Sequence, residues 1–240
     1  MNLSKFSFPL LGAASLMGLL SACDMLGGIY DDTLDGTSDD TTTASGTSTQ
    51  QNSVQQDSIV VKSGQYYIDA TSYTQWIYVS LHGDSLAITT AEIDPADGSE
   101  TGAPDEWDFA HHRYDVKTNG AQVMMTSYSS IAQLEAAGMP SDTAWVADVY
   151  GERSITVDMS GMMQGVIGYA AGWKNPEAGL WLDVDTSTMP PIYTLRDNVL
   201  IYRLSDGTYA ALQLVNFMST DRYQIKGWMT VNYKYPIFAE

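Results

Sequence analysis

Six short runs of aromatic and β-branched residues, each bounded by turn-forming residues, restrict this chain to a β architecture. "QYYIDA" (65–70), "QWIYVSL" (75–81), "SLAITT" (85–90), "NVLIYRL" (198–204), "TYAALQLV" (208–215) and "WMTVNYKY" (228–235) are too short for ordinary helices. They are rich in the side chains that pack on a pleated surface. The first three read as a meander, with "HGD" (82–84) as a turn. Asp206-Gly207 separates the fourth and fifth runs, and glycine there accepts the positive φ of a tight hairpin. One segment, "SIAQLEAAG" (130–138), reads as a helix: Ser130 and Gln133 form a capping box, and Gly138 suits left-handed geometry at the C-terminus. The expected fold is all-β, mostly antiparallel strands with one or two short helices. Fifteen tyrosines and six tryptophans fit strands and ligand-facing surfaces better than a helical bundle.

The N-terminus has a different purpose. Lys5 supplies a positive start, 9–20 is an apolar run too short for a spanning helix, and "LSAC" ends it at Cys23. This is the pattern of a bacterial lipoprotein signal peptide, 1–22, with Cys23 as the lipidated first residue. From 23 to 57 the chain is mostly Asp, Thr, Ser, Gly and Gln, which cannot bury enough surface to offset ordering entropy, so it reads as a disordered tether. The β domain is expected over 58–240. Cys23 is the only cysteine, which rules out internal disulfides and a thiolate nucleophile or ligand in the domain. Asp24, Asp31, Asp32, Asp35, Asp39 and Asp40 resemble the surface-export signals of some Bacteroidetes lipoproteins, implying an outer-membrane protein facing the extracellular side.

A formal charge of −18 excludes nucleic acid, whose phosphates need clustered Lys and Arg. No HExxH, GxSxG, GxGxxG or P-loop pattern occurs, and acidic runs such as "DPADGSE" and "WLDVD" read as solvated loops, so no enzyme is expected. Of the three histidines, His82, His111 and His112, the adjacent pair on a strand would send one imidazole inward and one outward. "VDMSGMMQGV" (157–166) sets Met159, Met162 and Met163 beside Gly161 and Gly165. Methionine fills irregular core gaps, yet its sulfur is also a soft metal ligand, and the residues alone allow either role.

"EWDFAHHRYDVKTNG" (106–120) resembles the signature of the HmuY family, haem-binding lipoproteins of Bacteroidetes, which carry a Trp-Asp-x-Ala-x-His-Arg-x-Asp-Val-x-Thr-Asn-Gly segment. Trp107, Asp108, Ala110, His112, Arg113, Asp115, Val116, Thr118, Asn119 and Gly120 match it. "NVLIYRLSDGTYAALQLVNF" and "WMTVNYKYPI" resemble the family's closing strands. The resemblance implies a HmuY-like fold that grips one haem (iron protoporphyrin IX) between loops and holds its iron by two axial side chains. It also implies delivery to a TonB-dependent outer-membrane haem transporter, with host haemoproteins as sources. His112 matches a motif whose implied role is structural, beside Arg113 and Asp115.

Histidine ligands, known in some members, cannot be carried over, because no histidine follows His112. At the first ligand region this chain has "SGMMQG", and near the second "DTSTMPPIY". The resemblance therefore points to Met162 and Met189 as axial ligands, with Met163 as the alternative to Met162. Tyr169, Trp173, Trp181 and Tyr193 are expected as apolar, aromatic walls. Gly161 is expected to admit the flat ring, and Pro190 and Pro191 to stiffen the second loop. The competing reading is a surface glycan-binding lipoprotein in which Trp173 and Trp181 form a stacking platform, or a non-haem interaction module on the same fold.

Overall fold

A computed structural model describes residues 59–238, without Ser63, Gly83, Asp84, Asp142, Thr143 and Met189. The signal peptide, Cys23 and the tether lie outside the described residues, as does most of the "HGD" turn. The chain begins with β1 (Ile59–Lys62), β2 (Gln65–Asp69), β3 (Gln75–Ser80), β4 (Ala87–Ile93) and β5 (Glu100–Thr101). Next are β6 (Phe109–His112), β7 (Asp115–Thr118), β8 (Gln122–Met125) and the helix α1 (Ile131–Ala137). After them come β9 (Val146–Ala147), β10 (Val149–Asp158), β11 (Gly168–Lys174), β12 (Leu182–Asp185) and β13 (Ile192–Leu195). β14 (Leu200–Arg203), β15 (Tyr209–Met218) and β16 (Lys226–Lys234) close the fold.

Every pairing is antiparallel. A seven-stranded sheet has the order β1-β2-β16-β15-β14-β8-β9, and a five-stranded sheet the order β5-β4-β3-β6-β7. Two ribbons, β10–β11 and β12–β13, stand outside both sheets. The all-β expectation holds. The meander expected for the first three runs does not, because β2 pairs with β1 and β16 while β3 and β4 form their own hairpin in the other sheet. Local turn signals cannot reveal that switch between sheets.

Alternation along β3 explains the layering. Ile77 and Val79 point into the main core with Tyr66, Ile68, Phe109, Leu200, Tyr202, Leu212 and Met229, between the two sheets. Trp76 and Tyr78 point the other way, into a second cluster with Ile93, Ala110, Ile155, Val157 and Ala170, which seats the β10–β11 ribbon on the outer face of the five-stranded sheet. A strand covered on both faces loses the polar half of its pattern, which is why "QWIYVSL" is apolar throughout. On the outer face of the seven-stranded sheet, Met124, Ile201 and Ala211 pack with Leu134 of α1 in a third cluster. Each fully buried Val, Leu or Ile contributes about 1.5–3 kcal/mol relative to an exposed one.

α1 starts as expected: the Ser130 hydroxyl accepts the Gln133 N–H at 3.2 Å. The reciprocal half of the box falls one residue earlier, with Gln133 Oε1 accepting from the N–H and hydroxyl of Ser129. Gly138 has φ +77° but ψ −172°, so it ends the helix outside the left-handed helical well while donating its N–H to Leu134 O. At the β14–β15 connection Gly207 takes φ +88°, and Asp206 Oδ1 accepts from the Thr208 N–H and hydroxyl.

Candidate functional site

Met162 and Met163 lie at the tip of the β10–β11 ribbon. β10 ends at Asp158, whose carboxylate accepts the Ser160 N–H at 2.8 Å, and the chain turns through a 3₁₀ segment, Met162–Gln164, before β11 begins at Gly168. The turn closes on itself: Gln164 and Val166 both donate N–H to Gly161 O at 2.9 Å, and Gly165 donates to Met162 O at 2.9 Å. The glycines serve this closure. A Cβ on Gly161 would sit 2.9 Å from Val166 Cβ and O, and Gly165 has φ +74°. Gly161 is therefore required by the loop's own packing.

The tip is apolar and open. Met162 is half-buried, while Met163 is 73% exposed and Val166 64% exposed. Tyr169, one residue inside β11, is exposed with the Arg153 guanidinium 5.0 Å over its ring.

The second ribbon is rooted in the main core through Leu182, with Val184, Tyr193 and Leu195 packed against it. Arg196 grips Asp183 with two parallel N–H bonds, and its backbone N–H donates to Trp181 O at 2.9 Å. The connection between β12 and β13 carries Met189, which lies outside the described residues. Its flanks are tied down: Asp185 accepts the Ser187 N–H at 2.8 Å, and Lys226 Nζ donates to Pro191 O at 3.1 Å. Tyr193 stacks on Phe217 at 5.4 Å and has the Lys226 ammonium 4.8 Å from its ring. Burial raises its phenol pKa, so it stays protonated. Ile192, beside it, is exposed.

Trp181 and Trp173 lie in different surroundings. Trp181 is fully buried, stacks on His111 at 5.4 Å and donates its indole N–H to Tyr114 O at 3.0 Å. It is a core residue, which also removes it from a stacking platform. Trp173 is exposed but lies five residues from Gly168, roughly 16 Å down β11 at about 3.3 Å per residue, at the root of the ribbon. It faces Tyr150 at 5.3 Å, away from the methionine turn.

Neither imidazole of the His111-His112 pair points outward, because layers cover both faces of β6. His111 meets the Tyr66 hydroxyl at 2.7 Å in the main core, and burial lowers its pKa to about 3. His112 lies 5.2 Å from Trp76 on the other face, its Nε2 3.0 Å from Tyr73 O, and burial again lowers its pKa. Arg113 takes φ +55° and donates to Thr71 O at 2.9 Å. Among the described residues no three His, Cys, Asp or Glu side chains converge as a metal site.

Comparisons with known proteins agree with this architecture. A crystal structure described as that of a lipoprotein from Bacteroides fragilis superposes with a TM-score of 0.67 at 42% identity, covering 75% of this chain and 95% of that one. One described as an HmuY-like haem-binding protein from Bacteroides vulgatus gives 0.63 at 40% identity, covering 73% and 92%. The apo form of the Tannerella forsythia HmuY analogue shares the fold at 0.56 and 24% identity, covering 70% and 93%. No curated protein matches the chain. The HmuY protein family matches residues 72–233, a span that takes in both ribbons and all of the five-stranded sheet. The chain belongs to the HmuY family.

Proposed function

We propose that this protein binds one haem between the tips of its two ribbons and does so without catalysing a reaction on it. The observation that carries the reading is the apolar Met162–Gln164 turn, presented at the end of a ribbon outside both sheets in a member of this family. Bound haem would supply an iron for the sulfur ligands and an apolar ring. Met162 and Met189 are the proposed ligands, with Met163 as the alternative to Met162. Tyr169 and Tyr193, each on the ligand ribbon beside its tip, flank the ring. Thioethers suit the residues present: they are neutral, soft and favour reduced iron relative to imidazole. The protein is proposed to be anchored to the outer membrane through lipid on Cys23, facing outward on the 23–57 tether, with the folded domain beginning near residue 58. There it takes haem from host haemoproteins and passes it to a TonB-dependent transporter.

A haem titration followed by absorbance in the oxidised and reduced states tests this, beside Met162→Ala, Met163→Ala and Met189→Ala. The expected result is a saturable one-to-one complex that is low-spin when reduced and becomes high-spin in Met189→Ala and in one of the two neighbouring variants. Absence of a saturable Soret change in either redox state overturns the proposal.

A further inference from the structure

Two adjacent cavities, of about 380 and 320 Å³, open at the root of the β10–β11 ribbon, where it leaves the five-stranded sheet. Trp173 and Lys117 line both. Among the described residues, none of 159–167 or 186–191 lines either cavity, and both cavities lie at the other end of the β10–β11 ribbon from its tip. Trp173 and Tyr150 are each 55% exposed at the mouth, and Trp107 lines the larger cavity. Lys117 is buried at the floor, with its ammonium 4.5, 4.8 and 5.5 Å from the rings of Trp76, Tyr78 and Trp107. It donates to the Tyr78 hydroxyl at 2.7 Å and pairs with Glu100. Asp148, on the wall of the larger cavity, is held by the Thr118 N–H and hydroxyl and by Asn175 Nδ2.

We propose that this cleft binds a neutral pyranose ring, stacked on Trp173 with its hydroxyls toward Lys117, Glu100 and Asp148. Charge selects the class. Asp97, Glu100 and Asp148 outnumber Lys117 in the lining, which disfavours anionic sugars and carboxylate-bearing rings. The aromatic cage that would attract a cation already holds the Lys117 ammonium. What remains is a ligand with apolar C–H faces for the indole and neutral hydroxyls that both donate to carboxylates and accept from the ammonium. The cavities are large enough for one or two such rings. Nothing in this argument depends on haem.

Saturation-transfer NMR and tryptophan fluorescence test it on the full chain, kept in a detergent without sugar headgroups. The probes are the methyl glycosides of glucose, galactose, mannose and N-acetylglucosamine, with methyl glucuronide as the charged control. At least one neutral glycoside is expected to bind saturably, at least tenfold more weakly in Trp173→Ala, whose side chain is exposed and outside the three apolar clusters. Haem titration of the same variant is expected to match the wild type. The proposal is overturned if no neutral glycoside binds, if the glucuronide binds best, or if Trp173→Ala leaves saccharide binding unchanged.

Discussion

Acidification from pH 6.5 to 4.5 should destabilise the fold through His111. A free imidazole titrates near 6.5, whereas burial holds this one down to about 3. Its Nε2 meets the Tyr66 hydroxyl, and its Nδ1 has no partner, so protonation would leave an unpaired N–H in the main core. The pKa is lowered on folding, so over this window the unfolded chain takes up a proton that the folded one refuses, and stability falls as pH falls. Linkage between values of 6.5 and about 3 gives a loss of about 2 kcal/mol between pH 6.5 and 4.5. His112, also lowered by burial, acts in the same direction. His82 acts oppositely: its hydrogen bond to Asp206 leads the causes that raise its pKa, so its contribution is present at low pH and lost as pH rises through the folded value. It is well exposed, so its effect stays within the small range of surface pairs. Urea unfolding at pH 6.5, 5.5 and 4.5, followed by tryptophan fluorescence, reads the loss directly. His111→Leu should remove about 2 kcal/mol of the pH dependence while His112 sustains the rest. A stability change below 0.5 kcal/mol on the order of measurement error, or the wild-type slope in His111→Leu, would refute the reasoning.

Three further outcomes follow from packing. Trp181→Ala should lose about 3–5 kcal/mol, since the indole is fully buried, stacked and hydrogen-bonded, and thermal melting should show it as a lowered Tm. Gly98→Ala should destabilise by about 1–3 kcal/mol in urea titrations, because Gly98 has φ +78° and a Cβ would meet Ala171 O at 2.3 Å. Ser130→Ala should cost about 1 kcal/mol through the lost cap, seen as faster amide exchange at Gln133.

Much of the sandwich was legible because its strands are apolar on both faces or end at strong turn residues. "NVLIYRL" became β14 with Leu200 and Tyr202 in one core and Ile201 in another, so its unbroken apolar run was itself the signal. β10 to β13 were harder to see. Their exposed faces carry Glu152, Arg153, Asp183 and Asp185 beside glycines, and β10 is interrupted by register shifts at Gly151/Ile155 and Thr156/Asp158, which break the period-two pattern. At the site, the motif-rich His111-His112 segment proved to be core, because alternation alone cannot say how many layers cover a strand. Trp173 and Trp181 were equivalent as letters; only the tertiary fold separates an indole stacked on a buried histidine from one open to solvent.

The separation of the β10–β11 tip from the three apolar clusters bears on how the family can change. Met162 and Met163 belong to none of those clusters, and at Met163, 73% exposed, replacing the side chain should perturb stability by about 0.5 kcal/mol, the range of ordinary surface substitutions. On the proposed reading, a lineage can therefore exchange the donor atom at the tip in a single step without a compensating change in the sandwich. Gly161 and Gly165 are the positions that must stay, because they shape the turn whichever side chain it carries.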